Sequence, residues 1–359
     1  MKVLIIGSGT IGLPLGLSLA KYHQVTFIDS NPNRIEFLRR TDFSFPYEPG
    51  ILELKIITKE TVRFLNPREL NQETFEVVVF TVNLSSKQSD AIELYKMYEN
   101  YCQAAGSILF RSTLNNNQWN ELSQFVDLKK FAYVPERSRP GNILKELASL
   151  PQVLGHEDPE AFAKGYEILK EVVPEVLSTT IIEAIAVKLL SNSWRAAVFD
   201  LANNFFIHCH QSDLDFIKIS KLAKKNYPRL DSLPLPGFIS GPCLPKDYES
   251  WRFWGKEHAP IPLNDKLLQL IVKKLLIKFE DVSSLKISLI GKGYRVDYPD
   301  ERESIAHKLK PVLEGLGATV AIVENNHEID PVTCNLTIHL FPGGTKNQNI
   351  KDLDFWGKQ

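Results

Sequence analysis

Several things are scarce or missing in this chain, and each absence narrows its class. No uninterrupted apolar run reaches the ~18 residues that a membrane helix needs. A secretory signal would show a basic lead and a longer apolar stretch. The chain opens instead on a short apolar strand, Val3 to Ile6, followed by glycines. Cysteine is sparse: Cys102, Cys209, Cys243 and Cys334 are the only four in 359 residues, and they lie far apart without CxxC spacing. That fits reduced thiols in the cytoplasm better than a disulfide framework. An excess of either charge is missing too. Lys+Arg 42 against Asp+Glu 43 leaves a formal net charge of −1, so neither a nucleic-acid partner nor a membrane surface is expected. His208-Cys209-His210 invites a metal reading. Residues i and i+2 on a helix point in different directions, and no further ligands lie nearby, so no metal site is expected. Low-complexity tracts are absent.

The composition that remains, 43% hydrophobic and 24% charged, is ordinary for a globular protein. A chain of this length should hold two or three domains. Lys2 to Ile6 is a β-branched run, and Gly7-Ser-Gly-Thr-Ile-Gly12 follows at once. A helical pattern from Leu13 to Tyr22 comes next, then a second strand, Gln24 to Ile28, ending at Asp29. This is the strand–GxGxxG–helix–strand–acid order of a dinucleotide-binding half. Gly7 permits the tight turn, Gly9 lets a pyrophosphate approach the backbone, and Gly12 lets helix and strand pack closely. The helix N-terminus offers N–H groups and a positive dipole end to the phosphates. Asp29 can accept from both ribose hydroxyls and would repel a 2′-phosphate, which favours NAD over NADP. The cofactor candidates are Gly7, Gly9, Thr10, Ile11, Gly12, Asp29, Arg34 and Thr113.

The βα alternation continues. Strands are expected at Val77–Val82, Ser107–Ser112, Phe131–Val134 and from Val153, with a helix at Ile92–Cys102. The pattern implies a largely parallel sheet with helices on both faces. Ligands in such sheets bind beyond the carboxyl ends of the strands, where Asn83, Ser112-Thr113 and Glu136 sit. From Thr180 to about Cys209 the pattern is one long helix. Ala184, Val187, Leu190, Trp194, Val198 and Leu201 form an apolar stripe along it. Lys188 and Asn192, i and i+4, project from a common face. Pro228 to Pro245 is a proline-rich loop carrying Cys243. A helix at Asn264–Phe279 follows. Strands at Lys286–Gly291, Thr319–Val323 and Leu336–Phe341 then surround a helix at Glu303–Leu316, a second and smaller unit of the same type.

Gly241-Pro-Cys-Leu-Pro-Lys-Asp247 puts a thiol, an ammonium and a carboxylate within five positions. A thiol acts as a nucleophile as its thiolate, which a nearby cation favours. Seven motifs, in order and over nearly the whole chain, together resemble the nucleotide-sugar dehydrogenases, the family of UDP-glucose 6-dehydrogenase and UDP-N-acetylmannosamine dehydrogenase. They are Gly7–Leu15, Tyr47–Ile51, Ser112-Thr113, Pro135–Gly141, Glu183–Asn192, Cys243–Asp247 and Asp300–Ser304. The resemblance implies an α/β fold of two Rossmann-like domains with mostly parallel sheets joined by a long central helix. Residues 1–178 would bind NAD, 179–263 would form a helical dimerisation region carrying the cysteine loop, and 264–359 would bind the nucleotide sugar.

It further implies oxidation of a sugar C6 alcohol to a carboxylate with two NAD, for surface-polysaccharide precursors, by a cytoplasmic homodimer. Cys243 would hold the intermediate as a thiohemiacetal and then a thioester. Lys188 and Asn192 would stabilise the oxyanion, and Asp247 would act with water as base. Thr113 and Glu136 would position water for hydrolysis, and Lys246, Arg295 and Arg302 would contact substrate. Several positions depart from the family pattern. The loop Pro236–Pro242 is poorer in glycine, Ile185 replaces an acid, and Leu114-Asn-Asn-Asn117 replaces a proline–glycine pair. Pro135–Gly141 is closer to the N-acetylhexosamine branch. Two alternatives stay open: a two-electron β-hydroxyacid-type dehydrogenase, and a catalytically idle homologue that binds NAD or nucleotide.

Overall fold

The computed structural model describes residues 1–40, 48–71, 73–252, 264–294, 300–330, 333–342, 350–353 and 355–356. Arg295 and Tyr47, named above, lie outside the described residues. The chain forms two compact units, Met1–Ser191 and Asn192–Gln359.

The first unit is built on eight strands: β1 (Lys2–Ile6), β2 (Gln24–Ile28), β3 (Val62–Leu65), β4 (Val77–Phe80), β5 (Ser107–Phe110), β6 (Phe131–Tyr133), β7 (Gln152–Gly155) and β8 (Val176–Thr179). Their order is β3-β2-β1-β4-β5-β6-β7-β8. Every pairing is parallel except β6 with β7. The inner strands are continuous apolar runs because helices cover both faces of such a sheet; Val77 to Phe80 are all buried. The outer strands β3 and β8 went unpredicted for the same physical reason. At a sheet edge only Phe64 of β3 falls in the core, and no residue of β8 is fully buried, so neither carries an apolar run.

The helix expected at Ile92–Cys102 is two, Asp90–Met97 and Glu99–Ala104. The break falls at Tyr98, whose ring packs edge-on against Phe80 at 6.4 Å.

The long helix runs from Ile181 to Gln211. Of the stripe read from the sequence only Ala184 is fully buried. Ala184, Ile185, Leu189, Ala196, Ala202 and Phe206 are buried, whereas Leu190, Trp194 and Leu201 are exposed. Spacing alone finds apolar faces but cannot tell which one meets the core.

The second unit carries four parallel strands, β9 (Lys286–Ile290), β10 (Thr319–Val323), β11 (Leu336–His339) and β12 (Lys351–Asp352), in the order β10-β9-β11-β12. It repeats the crossover of the first unit in detail. In the first, Gly7 has φ +97 and its N–H donates to the Ile28 carbonyl at 2.9 Å. The next N–H, of Ser8, donates to the acid after the strand, Asp29, at 2.9 Å. In the second, Gly291 has φ +112, its N–H donates to Val323 at 2.8 Å, and the Lys292 N–H donates to Glu324 at 3.2 Å. Both turns need a left-handed residue, hence glycine. The shared unit is thus a backbone geometry that survives without matching sequence.

Candidate active-site groups in the two units

In the first unit the glycine turn is as tight as its spacing implies. A Cβ at Gly12 would stand 2.0 Å from the Gly7 carbonyl oxygen and 2.4 Å from Thr81 Oγ1. That hydroxyl already donates to the Gly7 carbonyl at 2.7 Å. A Cβ at Gly9, by contrast, would meet nothing within 4 Å. The helix Gly12–Leu19 starts at Ile11 without a side-chain cap, so its first N–H groups are not taken by a neighbouring side chain. Asp29 Oδ2 accepts from the Ser8 N–H and hydroxyl, both at 2.9 Å, and Oδ1 accepts from the Asn31 N–H at 3.0 Å. Arg34 brackets the Ser8 carbonyl with Nε at 3.1 Å and Nη2 at 2.8 Å. Burial lowers its pKa while Asp29 opposes the shift, and a group starting that high stays charged at neutral pH. Open space at Gly9, an uncapped helix start and a fixed carboxylate fit a dinucleotide: phosphates at the turn, a ribose at Asp29. Asp29→Ala should raise the NAD KM about tenfold or more with a smaller effect on kcat. Steady-state kinetics at saturating sugar would check this, and an unchanged KM would remove Asp29 from the site.

At the far ends of β5 and β6 stand Thr113 and Glu136. Glu136 is buried and paired with Arg111, Nη2 to Oε2 at 2.6 Å. Its Oε1 accepts from the N–H groups of Arg137 at 2.8 Å and Ser138 at 2.7 Å. Burial alone would raise its pKa, but the Arg111 charge and the Ser138 N–H hydrogen bond outweigh it, and the carboxyl titrates below its ordinary value. Arg111 is a partner that sequence reading missed. Its guanidinium has no exposed surface and also reaches Gln152 Oε1 at 3.2 Å. A cation directly after the apolar run Ser107–Phe110 was the available clue.

Glu48 is a second omission. It belongs to the Tyr47–Ile51 motif, and its buried carboxylate accepts from Gly141 N–H at 3.1 Å and Leu144 N–H at 2.9 Å. It thereby joins two of the motifs that are far apart in sequence. The Leu114–Asn117 departure also has an account. Asn115 and Gln118 form a reciprocal capping box that starts the helix Asn116–Leu122. Lys188, on the long helix, is half-buried and has no ion-pair partner among the described residues.

In the second unit, Cys243 lies exposed immediately before the helix Leu244–Arg252, and its carbonyl accepts the Asp247 N–H at 2.8 Å. A thiol at a helix N-terminus has its thiolate favoured by the helix dipole, which was not foreseen from Lys246 alone. Pro245 is tolerated because an N–H in the first helical turn has no intrahelical hydrogen bond to lose. Asp247 is buried, and its Oδ2 accepts from Asn192 Nδ2 at 2.6 Å. Its Oδ1 is buried without a hydrogen bond, with the Lys246 ammonium at 3.9 Å. Asn192, Lys246 and Asp247 thus come together around the Cys243 helix.

Arg302 makes a two-point pair with Asp300, Nε to Oδ1 at 2.9 Å and Nη2 to Oδ2 at 2.5 Å. The Asp300 hydrogen bond raises the Arg302 pKa. Among the described residues no helix is long and apolar enough to cross a membrane.

Comparison with known proteins places these groups in context. Residues 1–173 match the family described as the UDP-glucose/GDP-mannose dehydrogenase family, NAD binding domain. A UDP-N-acetyl-D-mannosamine dehydrogenase of Methanococcus maripaludis is 28% identical over 346 residues, covering 89% of this chain and 78% of that protein. A UDP-glucose 6-dehydrogenase of Rickettsia bellii is 25% identical over 335 residues, covering 85% and 76%. The solved structure of a UDP-D-ManNAc dehydrogenase from Pyrococcus horikoshii superposes with a TM-score of 0.81 at 21% identity, covering 95% of this chain and 89% of that one. The last likeness supports the expected α/β fold with mostly parallel sheets. Residues 1–173 are thus an NAD-binding domain of the UDP-glucose/GDP-mannose dehydrogenase type, and the whole chain is similar to NAD-dependent oxidoreductases that carry such a domain.

Proposed function

We propose that this protein oxidises the C6 alcohol of a UDP-linked N-acetylhexosamine to the uronic acid in two steps, through a covalent intermediate on Cys243. It would work in the cytoplasm to supply a surface-polysaccharide precursor. The observation that carries the reading is Cys243 at a helix N-terminus, with buried Asp247 on the same helix and Asn192 bonded to it, in a chain with an NAD-binding domain. The sugar class rests on relatives named UDP-N-acetyl-D-mannosamine dehydrogenase and on the Pro135–Gly141 segment.

When bound, NAD accepts a hydride in each of the two oxidations. The residues of the chain do the rest. Asp247, with its unbonded Oδ1, takes the C6 hydroxyl proton by way of water. Lys188 and the second N–H of the Asn192 amide face the developing oxyanion and stabilise it. The Cys243 thiolate adds to the aldehyde carbon, giving a thiohemiacetal, and loss of the second hydride leaves a thioester. Water then cleaves the C–S bond, releasing the carboxylate and returning the thiol. Thr113 and Glu136 hold that water. Glu136 already takes three donors, which leaves about one of its four acceptor sites free. Arg302 and Arg295 hold the diphosphate, with Lys246 as a further contact. A panel of UDP- and GDP-sugars assayed for cofactor reduction tests the reading; reduction with none of them would favour the idle homologue.

The exposed residues Leu190, Trp194, Leu201 and Phe205 repeat at spacings of four and seven along the long helix. A run of this kind needs cover, and the homodimer reading supplies it. Trp194→Glu combined with Leu201→Glu should convert a dimer to monomer in sedimentation at micromolar concentration. A wild-type monomer under the same conditions would refute the dimer.

A further inference from the structure

The stretch before Cys243 departs most from the family pattern, and the second unit holds it at consecutive points. Asn203 clamps Gly237 by accepting its N–H at 2.8 Å and donating to its carbonyl at 2.9 Å. Asn264 clamps Ile239 in the same way, with both bonds at 2.7 Å. The Ser240 hydroxyl donates to the Tyr294 carbonyl at 2.9 Å, and the Gly241 N–H donates to the Glu303 carbonyl at 3.2 Å. Two side-chain amides therefore do the work of a neighbouring strand, which explains how the loop is fixed without extra glycines.

Of the last two anchors, Glu303 adjoins Arg302 and Tyr294 is bonded to the same stretch through Asp300. Tyr294 N–H donates to the Asp300 carbonyl at 3.0 Å, and Glu303 is held in a left-handed conformation at φ +55. A bulky residue keeps such a conformation only when its surroundings impose it. The Tyr294 ring lies against Gly241. A Cβ there would stand 2.7 Å from Tyr294 Cδ2 and 2.9 Å from Cγ, and Gly241 itself has φ +86. Below the turn, Ser304 is fully buried and its hydroxyl reaches the Gly293 carbonyl at 3.3 Å.

We propose that Tyr294 is a positioning residue: its ring, seated on Gly241, locks the Cys243 loop to the Arg302 loop and so holds the guanidinium where it favours the Cys243 thiolate. The inference rests on the reading of Cys243 as the nucleophile. The Gly241 N–H bond to the Glu303 carbonyl at 3.2 Å brings the backbone two residues before Cys243 against the residue that follows Arg302. The other charged groups on these elements are Lys246, Asp247, Glu249 and Arg252 on the cysteine's own helix, and Lys292, Asp300, Glu301 and Glu303 among the described residues of the facing stretch. Lys246 is engaged with Asp247 and Asp300 with Arg302.

The test is the rate of Cys243 alkylation by iodoacetamide as a function of pH, which needs neither sugar nor turnover and is therefore independent of whether the proposed reaction is correct. Tyr294→Ala should raise the apparent pKa of alkylation and slow it about threefold or more at pH 7. Tyr294→Phe, which keeps the ring, should behave as wild type. Arg302→Met, a change at an exposed side chain, should produce the same shift, and adding Tyr294→Ala to it should produce no further one. An unshifted profile in Tyr294→Ala would overturn the proposal, as would equal slowing in Tyr294→Phe or additive effects of the two substitutions. If Tyr294→Ala fails to fold, an unshifted profile in Arg302→Met overturns it alone.

Discussion

Replacing Cys243 with serine should abolish acid formation, lowering the overall rate by ~10³-fold or more, while NAD binding stays near the wild-type value. The serine hydroxyl has almost the same volume, so the loop pinned by Asn203, Asn264, Tyr294 and Glu303 keeps its backbone. What is lost is the group that the helix N-terminus can ionise. A hydroxyl near neutral pH yields negligible alkoxide there, whereas a thiol's pKa is within reach of the dipole. The first oxidation, which needs base and oxyanion donors but no thiol, should survive as slow release of aldehyde. Trapping that aldehyde with a hydrazine while assaying cofactor reduction measures both halves at once. Acid formation at an unchanged rate in Cys243→Ser would mean that the thiol is not the nucleophile and that the second oxidation proceeds without a covalent intermediate.

The second large effect is on stability. Arg111→Met should destabilise the first unit by about 3–5 kcal/mol at pH 7, because it leaves the buried Glu136 carboxylate without its countercharge. On a unit of this size the midpoint of thermal unfolding should fall by on the order of 10 °C. The pH dependence identifies the cause. In the wild type Glu136 titrates below its ordinary value. Its contribution is therefore fully present above the unfolded pKa of about 4.3 and is lost as pH falls through the lower, folded value. In Arg111→Met, only the Arg137 and Ser138 N–H groups still oppose burial, so the Glu136 pKa rises relative to wild type, and the penalty is largest at high pH and relieved as the carboxyl protonates. The gap between the two proteins should narrow from pH 7 toward pH 4. A gap independent of pH would assign the loss to packing around Arg111 instead. Circular-dichroism melts across that range distinguish the two.

The parts of the molecule that the sequence foretold are those with a local physical signature. The inner strands read clearly because burial on both faces demands unbroken apolar runs such as Val77–Phe80. The glycine turn read clearly because Gly7 and Gly12 are required by contacts within their own βαβ unit. Asp29 followed from the strand before it. The parts that stayed hidden depend on residues distant in the chain. Arg111 is intelligible only beside Glu136, 25 residues on. Glu48 matters because Gly141 and Leu144 come to it from more than ninety positions away. Asn203 and Asn264 look like ordinary polar residues until each is seen gripping one peptide of the cysteine loop. The helix after Cys243 was masked by Pro245, which reads as a helix breaker but sits in the one turn that tolerates it. The departures from the family pattern at Pro236–Pro242 and Leu114–Asn117 remove glycines and a proline that would shape the backbone there. The structure shows instead that other residues supply the missing constraints: amide clamps in the first stretch, and a capping box in the second.

The central claim is that one active site carries out both oxidations and that Cys243 holds the sugar between them. The measurement that tests it most directly is the ratio of cofactor reduced to sugar consumed, with limiting UDP-sugar and excess NAD in a single closed reaction. Two equivalents of reduced cofactor per sugar, with a uronic acid as the product and no free aldehyde, is the result predicted here. One equivalent per sugar would contradict it.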